Sequence, residues 1–153
     1  MQKKINIQNK KARFEFEILD KYVAGIQLTG TEIKSIRLSQ ARITESFCEF
    51  NDRGELFIVN MYIQEYMYGH HFNHKPKSER RLLLNKRELR SLKKDVEAKG
   101  NTIVPLKLFI NEKGFAKLEI ALAKGKQTHD KRNVIKDRDN KRDLARIKKS
   151  FNT

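Results

Sequence analysis

The sequence predicts a mainly β domain, an antiparallel barrel with short helices, followed by a basic C-terminal tail. Three observations support this fold class. Short apolar segments with the period of strands recur over residues 14–123, separated by turns rich in Gly, Asn and Asp. Two capping-box patterns mark short helices between those segments. Beyond residue 123 apolar residues become sparse and Lys and Arg dominate, so the 153 residues suit one domain plus an extension.

The beginning of the chain is predicted to form two strands after a polar, basic start. Residues 14–18 alternate apolar and acidic side chains, which is the period of a half-buried strand. Residues 20–21 suit a turn, and residues 22–28 form the second strand. Gly25 within it indicates a bulge or a close backbone approach. Residues 1–13 are polar and basic, and the stretch 9–13 is expected to be exposed, either reaching toward a ligand or frayed.

Two helices are predicted from their first turns. Thr29 precedes Glu32 at the spacing of a capping box, and Asn85 precedes Glu88 in the same way. The second helix is expected to stop at Gly100, in the C′ position where a left-handed conformation favours glycine. Its buried face is predicted to consist of Leu89, Leu92 and Val96.

Four further strands are predicted in two hairpins: residues 43–50 and 55–63 around a turn at 51–54, and residues 102–110 and 115–123 around a turn at 111–114. Pro105 lacks an amide proton, so it should lie at an edge or an irregularity. Short antiparallel strands at regular spacing predict a closed or nearly closed barrel of the OB type, with helices over its open ends. A β-sandwich with peripheral helices is the alternative.

The charge indicates a polyanionic partner. Lys and Arg number 34 against 19 acidic residues, a net charge of +15. Phosphate is the natural counter-charge, because neutralising phosphates releases condensed counterions. Nucleic acid is therefore favoured over an anionic membrane or an acidic protein.

Residues 124–153 contain 11 basic and 4 acidic residues, a net of +7 and nearly half of this excess. We divide the chain into a barrel domain over residues 1–124 and a basic tail over residues 125–153. The apolar residues of the tail form only a narrow helical stripe: Leu144, Ile147 and Phe151. This stripe is too narrow to offset the entropy of ordering the segment. We expect the tail to be disordered in the free protein and helical on binding a phosphate-lined channel; a stable helix docked on the barrel is the alternative.

Several other classes of protein are disfavoured. Cys48 is the only cysteine and cannot form an intramolecular disulfide, which suits a reducing cytoplasm. The start of the chain lacks the apolar run of a signal peptide, and no stretch approaches the roughly 20 apolar residues that span a bilayer. We expect no cofactor and no metal. The histidines that could bind zinc lie in a loop that contains Pro76: His70, His71 and His74.

Two further sets of residues have alternative interpretations. Tyr62, Tyr66 and Tyr68 could stack on RNA bases, but packing in the core or at an edge is the commoner role of tyrosine. Acidic residues that could in principle hold Mg²⁺ for a nuclease are Glu15, Glu17, Glu32 and Glu119. No pair of these acids has a spacing that demands a metal, so catalysis is disfavoured.

Four blocks in order carry a family resemblance: NKKA at 9–12, AGIQLTGTEIKSIR at 24–37, RRLLLN at 80–85 and AKGKQTHDKR at 123–132. On these blocks the chain resembles the SsrA-binding protein (SmpB) family from Asn9 to about Lys149. An unrelated RNA-binding module, such as a ribosomal protein, explains the charge and the barrel but not the four ordered blocks.

The resemblance implies an adaptor without bond chemistry, monomeric when free. It implies an OB-type barrel that binds the tRNA-like domain of transfer-messenger RNA. The complex enters ribosomes stalled on messages without a stop codon. The barrel replaces the missing anticodon stem, and the tail enters the decoding centre and the empty mRNA channel. The nascent chain is then tagged for proteolysis.

The resemblance also implies two sets of contact residues. Those expected to contact transfer-messenger RNA are Asn9, Lys10, Lys11, Gly25, Gly30, Glu32, Lys34, Arg37, Arg80, Arg81, Leu83, Lys124 and Lys126. Those expected at the decoding site of the ribosome are Gly125, His129, Asp130, Lys131, Arg132, Lys136, Arg138, Arg142, Arg146, Lys148 and Lys149. The chain departs from the family pattern at Val23, where an acid is usual, and at Ser78, where a basic residue is usual.

Overall fold

The computed structural model describes residues 4–97 and 100–125, and predictions for the tail from Lys126 onward lie outside these residues. The helices are α1 (Lys10–Glu15), α2 (Gly30–Arg37) and α3 (Lys86–Val96). The strands are β1 (Asn6–Gln8), β2 (Phe16–Ile26), β3 (Ala41–Arg42), β4 (Phe47–Phe50), β5 (Leu56–Val59), β6 (Tyr62–Ile63), β7 (Arg80–Leu83), β8 (Asn101–Ile110) and β9 (Ala116–Gly125).

The strands close into an antiparallel barrel. Neighbouring strands follow the order β8-β4-β5-β7-β2-β9, and β9 pairs back onto β8. Strand β1 pairs with β8 outside this ring, and β3 pairs with β6 in a separate small sheet. The predicted fold class, an antiparallel barrel with short helices, is confirmed.

The core lies inside this barrel and follows the two-residue period of the strands. On β9, Leu118 and Ile120 are fully buried, while Lys117 and Glu119 alternate with them and point outward. Helix α2 contributes Ile36 to the same core, and α3 contributes Leu92. Each such side chain stabilises the fold by about 1.5–3 kcal/mol relative to an exposed one.

Both predicted capping boxes are present. The Thr29 and Asn85 side chains accept from the amides of Glu32 and Glu88, and the two carboxylates accept in return from the cap amides. Helix α3 ends at Val96 with Glu97 as its C-cap, so the prediction of Gly100 as its C′ residue is wrong. Gly100 instead has φ of +85°, in the turn before β8.

Helix α1 was not predicted, and the expectation of an exposed start is wrong for Asn9 and Ala12, which are both buried. The Asn9 side chain caps α1 by accepting from the amide of Ala12, and Asn9 is only 2% exposed. Ala12 packs on a small cluster formed by Val104, Leu106, Ala121 and Ala123 on the outside of β8 and β9. A helix of six residues cannot be stable alone, so this packing determines its formation.

The predicted turn at Asp20 and Lys21 is absent, because β2 runs unbroken for 11 residues. In place of a turn, the pairing of β2 with β9 shifts its register between Ile18 and Asp20. Gly25 pairs regularly, so the bulge alternative at this residue is wrong. Pairing with β9 outweighs the local turn signal at Asp20 and Lys21.

The two predicted hairpins are present, with changed bounds. Gly54 and Gly114 have φ of +78° and +87°, as their turns require. The strands predicted at 43–50 and 55–63 are shorter in the structure, where they become β4 and β5. The end of the second predicted strand forms β6, which pairs with β3 in the separate small sheet. Pro105 lies where the pairing of β8 with β9 shifts register, which confirms the expected irregularity.

Candidate nucleic-acid interface

An exposed surface crosses the outside of β7, β2 and β9, and we call its residues Leu83, Val23, Gly25, Lys117 and Glu119 the outer β face. Gly25 pairs with Leu83 on one side and with Lys117 on the other. Val23 and Leu83 are about half exposed although both are apolar. A β-carbon at Gly25 would meet Leu83 Cβ at 3.4 Å and Lys117 Nζ at 3.7 Å. Because Gly25 has no side chain, the surface has a shallow depression there, between Leu83 and Lys117; we call this depression the floor of the outer β face.

Arg81 extends this surface toward α2. It pairs across strands with Phe57, and its Nη1 lies 3.0 Å from Glu55 Oε2. Asn51 donates to Glu55 Oε1 over 2.8 Å, and this bond, with the charge of Arg81, lowers the pKa of the Glu55 carboxyl. Arg81 also lines a depression beside Thr29 at the start of α2. The structure therefore places Gly25, Leu83 and Arg81 on one continuous surface.

Arg80, one residue earlier, points inward. Its Nε donates to Glu32 Oε2, and its Nη1 donates to the Met61 carbonyl over 2.7 Å. Its Nη2 donates to the carbonyls of Lys75 and Pro76, both at 3.1 Å. Glu32 uses its other oxygen for the cap of α2. This buried cluster thus ties α2 to the segment after β6, and neither charged group is available at the surface.

Asn9 is likewise buried and positions other groups. Its Nδ2 donates to the carbonyls of Pro105 at 2.9 Å and Ile43 at 3.2 Å, while its backbone amide donates to Leu106 O. It therefore joins the start of α1 to the irregularity in β8. Lys10 and Lys11 beside it are exposed and line a shallow depression with Thr44.

The remaining predicted cations on the described residues are exposed. Lys11 Nζ lies 2.9 Å from Glu45 Oε1, and that hydrogen bond raises the pKa of the Lys11 ammonium. On α2, Lys34 and Arg37 are exposed, as is Gly30 at its first position. The Lys34 ammonium lies 5.6 Å from the centre of the Tyr66 ring.

At the end of β9, Lys124 and Gly125 pair with Glu17 and Phe16 of β2 and are exposed. They lie at the opposite end of the β2–β9 pairing from Gly25 and Lys117. Predictions that lie outside the described residues are those for Lys126, His129, Asp130, Lys131, Arg132, Lys136, Arg138, Arg142, Arg146, Lys148 and Lys149.

The residues weighed for metal binding or catalysis have other contacts. His74 Nδ1 lies 2.9 Å from Thr31 Oγ1, and its Nε2 lies 3.0 Å from the Ile63 carbonyl. Glu119 pairs with Arg13 at 3.7 Å. Within residues 4–97 and 100–125, no group of three or more His, Cys, Asp or Glu is arranged to hold a metal. In the same residues no helix has the length and apolar character needed to cross a membrane.

The three tyrosines differ in their environment. Tyr62 is half buried beneath Arg42, whose guanidinium carbon lies 4.7 Å from the ring centre. Tyr68 is exposed and packs edge-on against Tyr66 with ring centres 5.5 Å apart. Base stacking therefore stays a prediction for Tyr66 and Tyr68.

Sequence reasoning missed Lys117 as part of this surface. The alternation along the last strand marks it as an outward residue, as it does Glu119. What the sequence does not contain is the register that sets Lys117 beside Gly25 and Glu119 beside Val23. Because of this register, the Glu119 carboxylate lies next to Val23, at the position where the resemblance implies an acid.

The barrel and this surface define the class of protein: a small, basic, OB-type β-barrel. The family model described as SmpB protein matches residues 6–150. A protein of Flavobacterium psychrophilum named SsrA-binding protein is 68% identical over 99% of this chain and all of its own length. The protein of that name from Bacteroides thetaiotaomicron is 53% identical over 95% of this chain and 97% of its own.

A solved structure is similar as well. It is described as "tmRNA-SmpB: a journey to the center of the bacterial ribosome", and its matching chain is 48% identical with a TM-score of 0.67. The match covers 81% of this chain and 86% of that one. The chain therefore belongs to the SmpB family of SsrA-binding proteins.

Proposed function

We propose that this protein is the RNA-binding adaptor of trans-translation in its bacterial cytoplasm. The barrel binds the tRNA-like domain of transfer-messenger RNA and brings it to stalled ribosomes, while the basic tail occupies the empty decoding centre and mRNA channel. The protein performs no bond chemistry itself. The observation that carries this proposal is the family match over nearly the whole chain, tail included, to proteins named for SsrA binding.

The geometry suggests how the predicted RNA contacts divide into two kinds. Gly25, Leu83 and Arg81 lie on one continuous exposed surface, so they are placed to contact RNA directly. Asn9, Glu32 and Arg80 are buried, so we assign them the positioning of α1, α2 and the loop after β6. Lys34 and Arg37 on the exposed side of α2 provide charge for the phosphate backbone.

Binding is tested by fluorescence anisotropy of the full chain against transfer-messenger RNA and an elongator tRNA of similar size, over a salt series. We expect a preference for transfer-messenger RNA that survives near-physiological salt, because shape complementarity does not depend on counterion release. Equal affinities that fall together as salt rises would indicate attraction by charge alone. The protein would then be a generic basic RNA-binding module.

The role of the tail is tested by deletion of residues 126–153. The shortened chain should keep most of its affinity for transfer-messenger RNA and should lose tagging on stalled ribosomes in a reconstituted translation system. The matched control is the full chain with Lys86→Ala and Arg90→Ala, which lowers the charge on α3 and leaves the tail intact. Tagging by the shortened chain would refute the division into a binding barrel and a decoding tail.

A further inference from the structure

A second basic surface adjoins the outer β face. Strand β1 and the β8–β9 hairpin enclose an open groove of about 880 Å³. Its charged and aromatic lining consists of Lys4, Lys107, Phe109, Lys113, Phe115 and Lys117, together with Glu112. Four cations and a single carboxylate therefore meet two aromatic rings in one concave site.

The lysines of this groove have no carboxylate partner in the described part of the chain. Among the described residues, none of the four lysines lies within 4.0 Å of a carboxylate, whereas Lys11, Arg13, Arg80 and Arg81 all do. The Lys107 ammonium lies 5.3 Å from the centre of the Phe109 ring. Phe115 is 63% exposed at the tip of the hairpin. Cations that are not neutralised, beside an exposed ring, are typical of sites for a nucleic-acid strand.

The groove is continuous with the outer β face through the pairing of four strands. Phe109 pairs with Lys117, Lys117 with Gly25, and Gly25 with Leu83. With neighbouring strands about 4.8 Å apart, this row spans about 14 Å. An RNA strand bound at Leu83 and Gly25 therefore needs to extend only about 14 Å to reach the groove.

We infer that this groove is a second RNA contact, in which the lysines bind phosphates and the Phe115 ring stacks on an unpaired base. The inference rests on the proposed function, since the RNA on the outer β face is the one that continues into the groove. An RNA strand matches both features of the site: its phosphates match the four lysines, and its bases match the exposed ring.

The electrostatic part is tested with the full chain carrying Lys107→Ala and Lys113→Ala. The control is Lys86→Ala with Arg90→Ala, which removes the same charge from α3, a helix that does not line the groove. By anisotropy, the groove variant should bind transfer-messenger RNA about tenfold more weakly at low salt than the control. Its plot of log affinity against log salt should be shallower by about 1.5, because two phosphate contacts are lost. Lys113→Ala alone, in an exposed turn, should show half of this change in slope without affecting folding.

The aromatic part is tested at Phe115. Phe115→Ala should weaken binding at least about fivefold. Phe115→Tyr should keep the wild-type affinity, because the tyrosine ring also stacks on a base. If the groove variants bind like the α3 control while the wild type prefers transfer-messenger RNA, the groove inference is wrong and the proposed function stands. If the wild type shows no preference, the proposed function itself fails. A wild-type dimer that these substitutions dissociate, with RNA affinity unchanged, would make the groove a self-association surface and overturn the inference.

Discussion

The Arg80 guanidinium and the Glu32 carboxylate form an ion pair in which the side chains are only 2% and 5% exposed. The pair joins β7 to α2 across 48 residues of sequence, and three backbone carbonyls accept further hydrogen bonds from the guanidinium. Removal of one partner of such a pair leaves the other charge buried without compensation. The pair therefore determines where α2 lies relative to the barrel.

Arg80→Ala should accordingly lower the free energy of unfolding by about 3–5 kcal/mol in urea titrations. The matched control is Arg81→Ala, which breaks the exposed pair with Glu55 and should cost less than about 1 kcal/mol. RNA binding should respond differently from stability. Arg81→Ala should weaken binding because it removes a direct contact. A folded Arg80→Ala protein should bind more weakly only because α2 is displaced. Equal stability of the two variants would contradict the buried role of Arg80.

Asn9→Ala should lower the free energy of unfolding by about 1–3 kcal/mol, because it removes the cap of α1 and the donor to the Pro105 carbonyl. The Ile43 carbonyl also loses Asn9 but still accepts from Ser46. Thermal denaturation measures the loss, and hydrogen exchange at the Ala12 amide locates it. Lys10→Ala, at the exposed neighbouring position, should leave both unchanged. An Asn9→Ala protein as stable as the Lys10→Ala protein would show that the contacts of Asn9 contribute nothing.

The contrast between Arg80 and Arg81 shows what the sequence could and could not predict. The four residues of β7 alternate buried and exposed, so a strand with two successive cations must direct one of them inward. Which one points inward depends on the register with β5 and β2, and that is a property of the whole barrel. Both arginines were therefore expected at the RNA, while the structure places only Arg81 at the surface.

The elements that were predicted well carry their signals locally. The capping boxes of α2 and α3 and the glycine turns of the hairpins depend on residues within a few positions of one another. Helix α1 and the unbroken β2 depend instead on contacts with β8 and β9, about a hundred residues away in sequence. Long-range pairing outweighs local preference in both places.

Gly25→Ala is expected to separate folding from RNA binding. The new methyl group would meet Leu83 and Lys117 at ordinary contact distances, so the thermal unfolding midpoint should stay the same or rise slightly. The same methyl group fills the floor of the outer β face, so the affinity for transfer-messenger RNA should fall, by anisotropy at fixed salt. Unchanged affinity for Gly25→Ala would mean that the RNA does not approach this floor.

Cys48 makes the stability of the barrel sensitive to high pH. The residue is buried in the core, and burial raises the pKa of its thiol. In the unfolded chain the thiol ionises near pH 8.5, so its contribution to stability is complete below that pH and declines above it. The folded protein holds the proton that the unfolded chain releases, and the free energy of unfolding should therefore fall by up to about 1.4 kcal/mol per pH unit above pH 8.5.

Urea titrations between pH 7 and 10 measure this decline, with Cys48→Ala as the control for the lysines and tyrosines that titrate in the same range. The variant should be less stable at pH 7, because a buried sulfur is lost, but its stability should decline less steeply as the pH rises. The wild-type thiol should also react with a maleimide only at the rate of unfolding, since the reactive thiolate does not form in the folded core. Parallel pH profiles for the two proteins, or rapid labelling of the folded wild type, would show that the thiol reaches solvent without unfolding.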